Sequence, residues 1–318
     1  MKVCVHIGPH KTGTTAVQSY LLSRYGSAEP QGPVWYPVFS RRPSHVNIAD
    51  WFTGQDRRPE RLVALVRRAR RAGVDRLLLS AEDFVSLIRH KTLGDFGAAF
   101  RGLDTTLITT QNAFASRIPS QWREHVKHGE VQDLSAMVPA MARRPLFSEH
   151  FYEKYAAALD ATRVVVVCVA RSDPPERLFE YALQAFGLPF DPEDDFTSGV
   201  EPNRSLTHFE TEILRALNRE FRTAAPEEDR RSRRLRRMSA ALREAFRTAD
   251  WAENVPRHRV EPPAEALELA RLAADRFEAQ IHRLRETREV LVLGNLADLR
   301  EGLDGVPAAA GESPERSA

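Results

Sequence analysis

The chain is poor in cysteine, with two in 318 residues, which excludes a disulfide-stapled scaffold. Cys4 and Cys168 each fall inside an apolar run, the setting of buried free thiols in a reducing compartment. Neither C-x-x-C nor H-E-x-x-H spacing occurs, so the sequence offers no zinc site, structural or catalytic. Long hydrophobic runs are missing too. None approaches the roughly 18 residues of a membrane span, and no hydrophobic leader precedes the strand-like run at residues 2–7. A soluble, cytoplasmic chain with no membrane partner is expected. Charge of one sign is also lacking: 46 Lys and Arg face 44 Asp and Glu, a net of +2, which gives no global field to attract nucleic acid. Lysine is scarce, at positions 2, 11, 91, 127 and 154 alone. A lysine inside a motif is therefore not explained by composition.

What is present is alternation of two periods. Apolar runs at 2–7, 76–80, 105–110, 163–169 and 290–293 read as strands. The fourth, Arg163-Val164-Val165-Val166-Val167-Cys168-Val169, has the unbroken β-branched character of a parallel strand covered on both faces. Between the runs lie helical segments. Glu60 to Ala72 is amphipathic and closed by Gly73, and a helix from Pro174-Pro175 ends at Phe186-Gly187, where glycine suits a C-cap. Further helices fit about 209–222, with Thr207 and Glu210 at capping-box spacing, and about 264–286. The stretch Gln31 to Pro37 reads as irregular, broken by prolines. The expectation is an α/β fold with a parallel central sheet of about five strands flanked by helices. It forms a single domain over 1–304, and the Ala/Gly/Ser/Pro/Glu-rich residues 305–318 follow as a disordered tail. Ligands in such sheets bind outside the carboxyl ends of the strands. The turns at 8–15, 81–83 and 110–112 all follow strands and should meet on one edge.

The most informative stretch is the first of those turns. Gly8-Pro9-His10-Lys11-Thr12-Gly13-Thr14-Thr15 lies between a strand and a helix that opens at Ala16. That order directs backbone N–H groups and a positive helix end at an anion. It is not a Walker A loop, because Lys11 precedes Gly13 instead of following the second glycine.

The pattern I-G-x-x-K-T-G-T-T-x-x-Q, from Ile7 to Gln18, resembles the 5′-phosphosulfate loop of sulfotransferases that use 3′-phosphoadenosine-5′-phosphosulfate (PAPS). Weaker likeness to bacterial, actinobacterial-type sulfotransferase-like proteins extends through residues 122–127, 174–187, 203–206 and 290–299. The resemblance implies a P-loop-like sulfotransferase fold, PAPS as co-substrate and no divalent metal. It also implies a small-molecule or carbohydrate acceptor. His10, Lys11, Thr12, Gly13, Thr14 and Thr15 would hold the donor's 5′ end, with Lys11 stabilising the leaving phosphate oxygen. Glu82, directly after the second strand, is the first candidate base; Leu79-Ser80-Ala81-Glu82 looks like a stretch in bacterial members. It also fits a carboxylate placed at a helix start with no catalytic role. His45 is the rival base. For the 3′-phosphate, family members place an Arg at a strand end and a Ser eight residues later. Here the positions are Asn112 and Ser120, with Arg117 able to stand in. Losing one charge-assisted contact costs about 1.5–3 kcal/mol. Arg171, Asn203 and Ser205 are further candidates beside an anion, with ordinary turn or surface roles as the alternative.

Three function classes follow: a PAPS-dependent sulfotransferase acting on a hydroxyl or, second, an amine; a degenerate relative that binds a nucleotide or partner without turnover; and a P-loop kinase using ATP. Trp35, Tyr36, Trp51 and Phe52 read either as lining for an acceptor or as minor core. The basic run Arg230 to Arg237 reads either as a solvated helix face or as a site for an acidic partner.

Overall fold

The computed structural model describes residues 1–9, 12–55, 57–144, 147–170, 172–196, 206–224 and 262–303, with isolated positions at 241 and 244–245. His10, Lys11, Arg171, Asn203, Ser205, the basic run at 230–237 and the tail at 305–318 lie outside the described residues. The chain divides into two compact units. The sheet unit comprises Met1–Ala113, Ala140–Ser205 and Ala274–Leu299, and the second unit Phe114–Pro139, Leu206–Ala273 and Arg300–Ala318.

In the sheet unit, β1 (Lys2–His6) is central in one all-parallel sheet of seven strands, ordered β2-β3-β4-β1-β5-β6-β7. The others are β2 (Gly26–Ser27), β3 (Val34–Pro37), β4 (Arg76–Ser80), β5 (Asp104–Asn112), β6 (Arg163–Val169) and β7 (Glu289–Leu293). Five match the apolar runs; β2 and β3 raise the expected five to seven. β3 lies where an irregular, proline-broken stretch was expected. Pro33 precedes it and Pro37 ends it, and only Val34 and Trp35 pair with β4, so too few residues repeat for a period to show. β1 runs on toward β2 on one side and β5 toward β6 on the other, which makes the β1/β5 border the switch point where such sheets bind ligands.

Helices cover both sheet faces, as the valine run requires. Cys4, Leu78, Ile108, Val165 and Val167 pack with α1 (Thr14–Tyr25) and α9 (Pro175–Phe186) in one buried cluster. α9 starts with proline at its first turn and ends on Gly187 at φ 66°, the left-handed cap that glycine takes without strain. The remaining sheet-unit helices include α2 (Val46–Thr53), α3 (Glu60–Arg71), α4 (Ser86–Arg89), α5 (Leu93–Ala98) and α8 (Phe151–Ala158). Both cysteines are buried and unbridged, and burial pushes each thiol up to about 12.

The second unit holds α6 (Phe114–Lys127), the start of α7 (Leu134–Ala142), α10 (His208–Ala224) and the first part of α11 (Ala264–Thr287). The capping box is formed: the Thr207 N–H donates to Glu210 Oε2 at 2.6 Å, and the Glu210 N–H donates to Thr207 Oγ1 at 3.2 Å. Asn218 on α10 donates to the carbonyls of Val126 and Glu130 at 2.8 and 2.9 Å, closing the loop after α6. Among the described residues no helix is long and apolar enough to cross a membrane.

Candidate functional site

The carboxyl end of β1 organises the site. His6 is a polar residue on a strand whose neighbouring rows are apolar, and it is 1% exposed. It pairs in register with Ser80 of β4. Its ring spans two strands, with Nδ1 2.8 Å from Ser80 Oγ and Nε2 3.0 Å from Thr110 Oγ1 of β5. Gln18 of α1 donates to the same Ser80 Oγ at 3.0 Å. The network is satisfied when Ser80 gives its proton to Nδ1 and His6 donates from Nε2 to Thr110. Burial pushes the His6 imidazole down to about 4, with the Glu82 carboxylate pulling weakly the other way. The ring is therefore neutral near pH 7, and four segments lock together around it.

The turn after β1 rests on this ring. A Cβ on Gly8 would come within 2.8 Å of His6 Nε2 and 2.9 Å of Thr14 Cγ2, so only glycine fits there. Gly13 has φ 78° and precedes α1, whose start has no side-chain cap and no acidic residue in its first turn. Thr12 is buried and donates to the Pro9 carbonyl at 2.9 Å. Thr15 is exposed, and Thr14 is buried with its hydroxyl donating to Glu82 Oε1. An uncapped helix start with no acidic residue in its own first turn, behind Gly8 and Gly13, is the kind of backbone that accepts a phosphate-bearing group.

Glu82 is held from below as well. It opens a short 3₁₀ turn, Glu82–Val85, directly after β4. In that turn Phe84 is fully buried against Phe96, and its carbonyl accepts the hydroxyl of Tyr155 from α8. The Ala81 N–H donates to the His6 carbonyl at 3.2 Å, and the Ile7 N–H to that of Ile108 at 2.9 Å. The three turns expected on one sheet edge thus come together through His6, Thr14, Glu82 and Thr110.

His45 has a different role from the one its sequence context suggested. It is 2% exposed, accepts the Ser80 N–H at Nδ1 (2.8 Å), and donates from Nε2 to the Pro37 carbonyl (2.8 Å). Burial pushes it down to about 4. Both ring nitrogens serve backbone groups, so no lone pair faces a substrate. The ring ties the ends of β3 and β4 together and lies 4.2 Å from the Tyr36 ring. Trp35, Tyr36 and Phe52 are core; Trp51 is half-buried and meets the partly exposed Phe39 edge-to-face at 5.1 Å.

The expected 3′-phosphate residues belong to both units. Asn112 ends β5 in the sheet unit. Arg117 and Ser120 lie on α6 in the second unit, where Arg117 is 1% exposed with its guanidinium carbon 4.0 Å over the Phe114 ring. Ser120 is half-buried.

His6, Ser80 and Thr110 carry the geometry; the sequence picked out Ser80 only as part of Leu79-Ser80-Ala81-Glu82 and Thr110 only as part of a turn, and gave none of the three a role. The one available signal was a histidine at the end of an apolar strand. Comparison of the chain with family models, with curated proteins and with solved structures finds no match in any of the three.

Proposed function

We propose that the chain is a PAPS-dependent sulfotransferase that moves a sulfuryl group to a hydroxyl, or second to an amine, of a small metabolite or carbohydrate. The observation that carries the reading is the hydrogen bond from Thr14 to Glu82. It ties a carboxylate from the end of β4 to the first residue of the helix behind the Lys-Thr-Gly-Thr-Thr turn. Sulfuryl transfer needs an anion cradle and a base on one edge, and a proton acceptor bound to the cradle itself meets that need.

When bound, PAPS supplies the sulfuryl group and a phosphate as leaving group. The N–H groups at the start of α1 and the exposed Thr15 hydroxyl are the cradle's donors on this chain. Lys11 supplies the cation for the oxygen on which charge develops. Glu82, oriented through Oε1 by Thr14, takes the proton of the acceptor hydroxyl. The neutral His6 ring keeps the turn and the Glu82 segment in register without adding positive charge.

Asn112 favours the second reading, a nucleotide-binding relative without turnover, because an amide replaces a cation at the strand end. Calorimetry with 3′-phosphoadenosine-5′-phosphate in the absence of metal, set against ATP with Mg²⁺, separates the readings, followed by turnover of labelled PAPS across an acceptor panel. Tight metal-free binding with turnover is expected. Binding without turnover on any acceptor favours the degenerate reading, and preference for ATP with Mg²⁺ a kinase.

A further inference from the structure

The second unit contains a cavity of about 250 Å³. Pro119 and Trp122 of α6, Leu134 of α7, and Pro262 and Pro263 before α11 give it apolar walls. The His208 ring on α10 lies 6.3 Å from the Trp122 indole at 34°, so one side of the cavity is a pair of flat rings. The volume sits below the roughly 300–1,000 Å³ of sites for drug-sized ligands, which suits a molecule of one ring.

The charged groups around it differ in whether they have a partner. Asp133 and Glu212 both line the cavity, but each is occupied. Asp133 Oδ1 accepts the Ala136 N–H at 2.8 Å, and Glu212 accepts the Arg215 guanidinium at 2.5–3.2 Å. Arg123 also lines it, and its buried Nε has no acceptor. Among the described residues no carboxylate closes an ion pair with it, and burial alone pushes its guanidinium below the ordinary value. Three helices begin at the wall: α7 at Leu134, α10 at His208, and α11 just after Pro263. Each start already has a carboxylate of the chain beside it: Asp133 caps α7, Glu210 closes the capping box of α10, and Glu265 lies in the first turn of α11. A half-buried guanidinium that has no counter-ion among the described residues, at the wall of a cavity, is an arrangement that an anion would complete. The Asp133 and Glu212 carboxylates disfavour a dianion, and the flat apolar walls favour a ring.

We propose that this cavity binds a small aromatic or heteroaromatic monocarboxylate, its ring against Trp122 and its carboxylate on the Arg123 fork. The site lies wholly within the second unit and does not depend on the sulfuryl-transfer reading.

Calorimetry of the full chain with benzoate, with the neutral isostere benzamide and with inorganic phosphate tests it. Benzoate is expected to bind at least tenfold more tightly than either of the others. Arg123→Met and Arg123→Gln should each remove that preference while the ligand-free protein melts no lower than wild type, since the change deletes a cation that has no partner among the described residues. Equal affinity for benzoate and benzamide in the wild-type chain overturns the proposal, and that comparison needs no variant. A benzoate preference that survives in a folded Arg123 variant overturns it as well.

Discussion

The carboxyl edge of the sheet and the cavity of the second unit both take polar side chains out of water, with opposite bookkeeping. At the sheet edge, His6 has partners on both nitrogens, His45 likewise, and Ser80 serves both rings together with Gln18. In the cavity wall, Arg123 keeps a buried Nε without an acceptor. A closed network holds strand ends in one geometry and leaves little for a ligand to add inside it. An open charge costs stability until something binds. The contrast separates a region whose polar groups are satisfied within the chain from one in which a buried polar atom is not.

Acid is the strongest way to break the closed network. Both rings have their pKa lowered by burial, from 6.5 to about 4. The unfolded chain therefore takes up protons first: the contribution is complete above about pH 6.5 and is lost as pH falls toward 4. Each ring accounts for roughly 3 kcal/mol over that window, against a total stability on the order of 5–15 kcal/mol. Urea unfolding near neutral pH and again at about pH 4.5 should show a loss of several kcal/mol; a flat profile would mean that the rings are not buried neutral.

Catalysis comes next. Lys11→Ala and Glu82→Gln should each lower sulfuryl-transfer turnover by about a hundredfold or more, with Glu82→Gln leaving the affinity for 3′-phosphoadenosine-5′-phosphate nearly unchanged. Wild-type turnover in either variant removes that residue from the mechanism. Ser80→Ala takes away a partner from His6 Nδ1 and from Gln18 at once, and should cost about 1–3 kcal/mol in denaturant unfolding. The smallest effect has the opposite sign. Arg123→Met should stabilise the ligand-free chain by about 1 kcal/mol, because a charge with no counter-ion among the described residues is replaced by an apolar chain of similar length. Destabilisation by that variant would indicate a partner for Arg123, and the contrast would fall.

Much of the sheet was legible because local patterns carry it. β6 announces itself by four valines in a row, α9 by its prolines and Gly187, α10 by Thr207 and Glu210. β2 and β3 were hidden because two- and four-residue strands hold too few residues for a period to register. The turn at 8–15 stood out in the sequence for the same local reason, its glycines, lysine and threonines lying within a few positions. His45 looked like a loop base because sequence carries no information about Pro37 and Ser80 closing on its two nitrogens.

Residue order alone determined the alternating elements, the glycine-bearing turn after β1 and a carboxylate directly after β4, since each depends on neighbours within a few positions. Tertiary structure alone decided that His6 would bridge Ser80 and Thr110, 74 and 104 residues away, and that Thr14 would meet Glu82. It also decided that Arg123 would bury its Nε with no acceptor among the described residues. Burial and long-range hydrogen bonds depend on which strands become neighbours, and the order β4-β1-β5 is set by packing of the whole sheet.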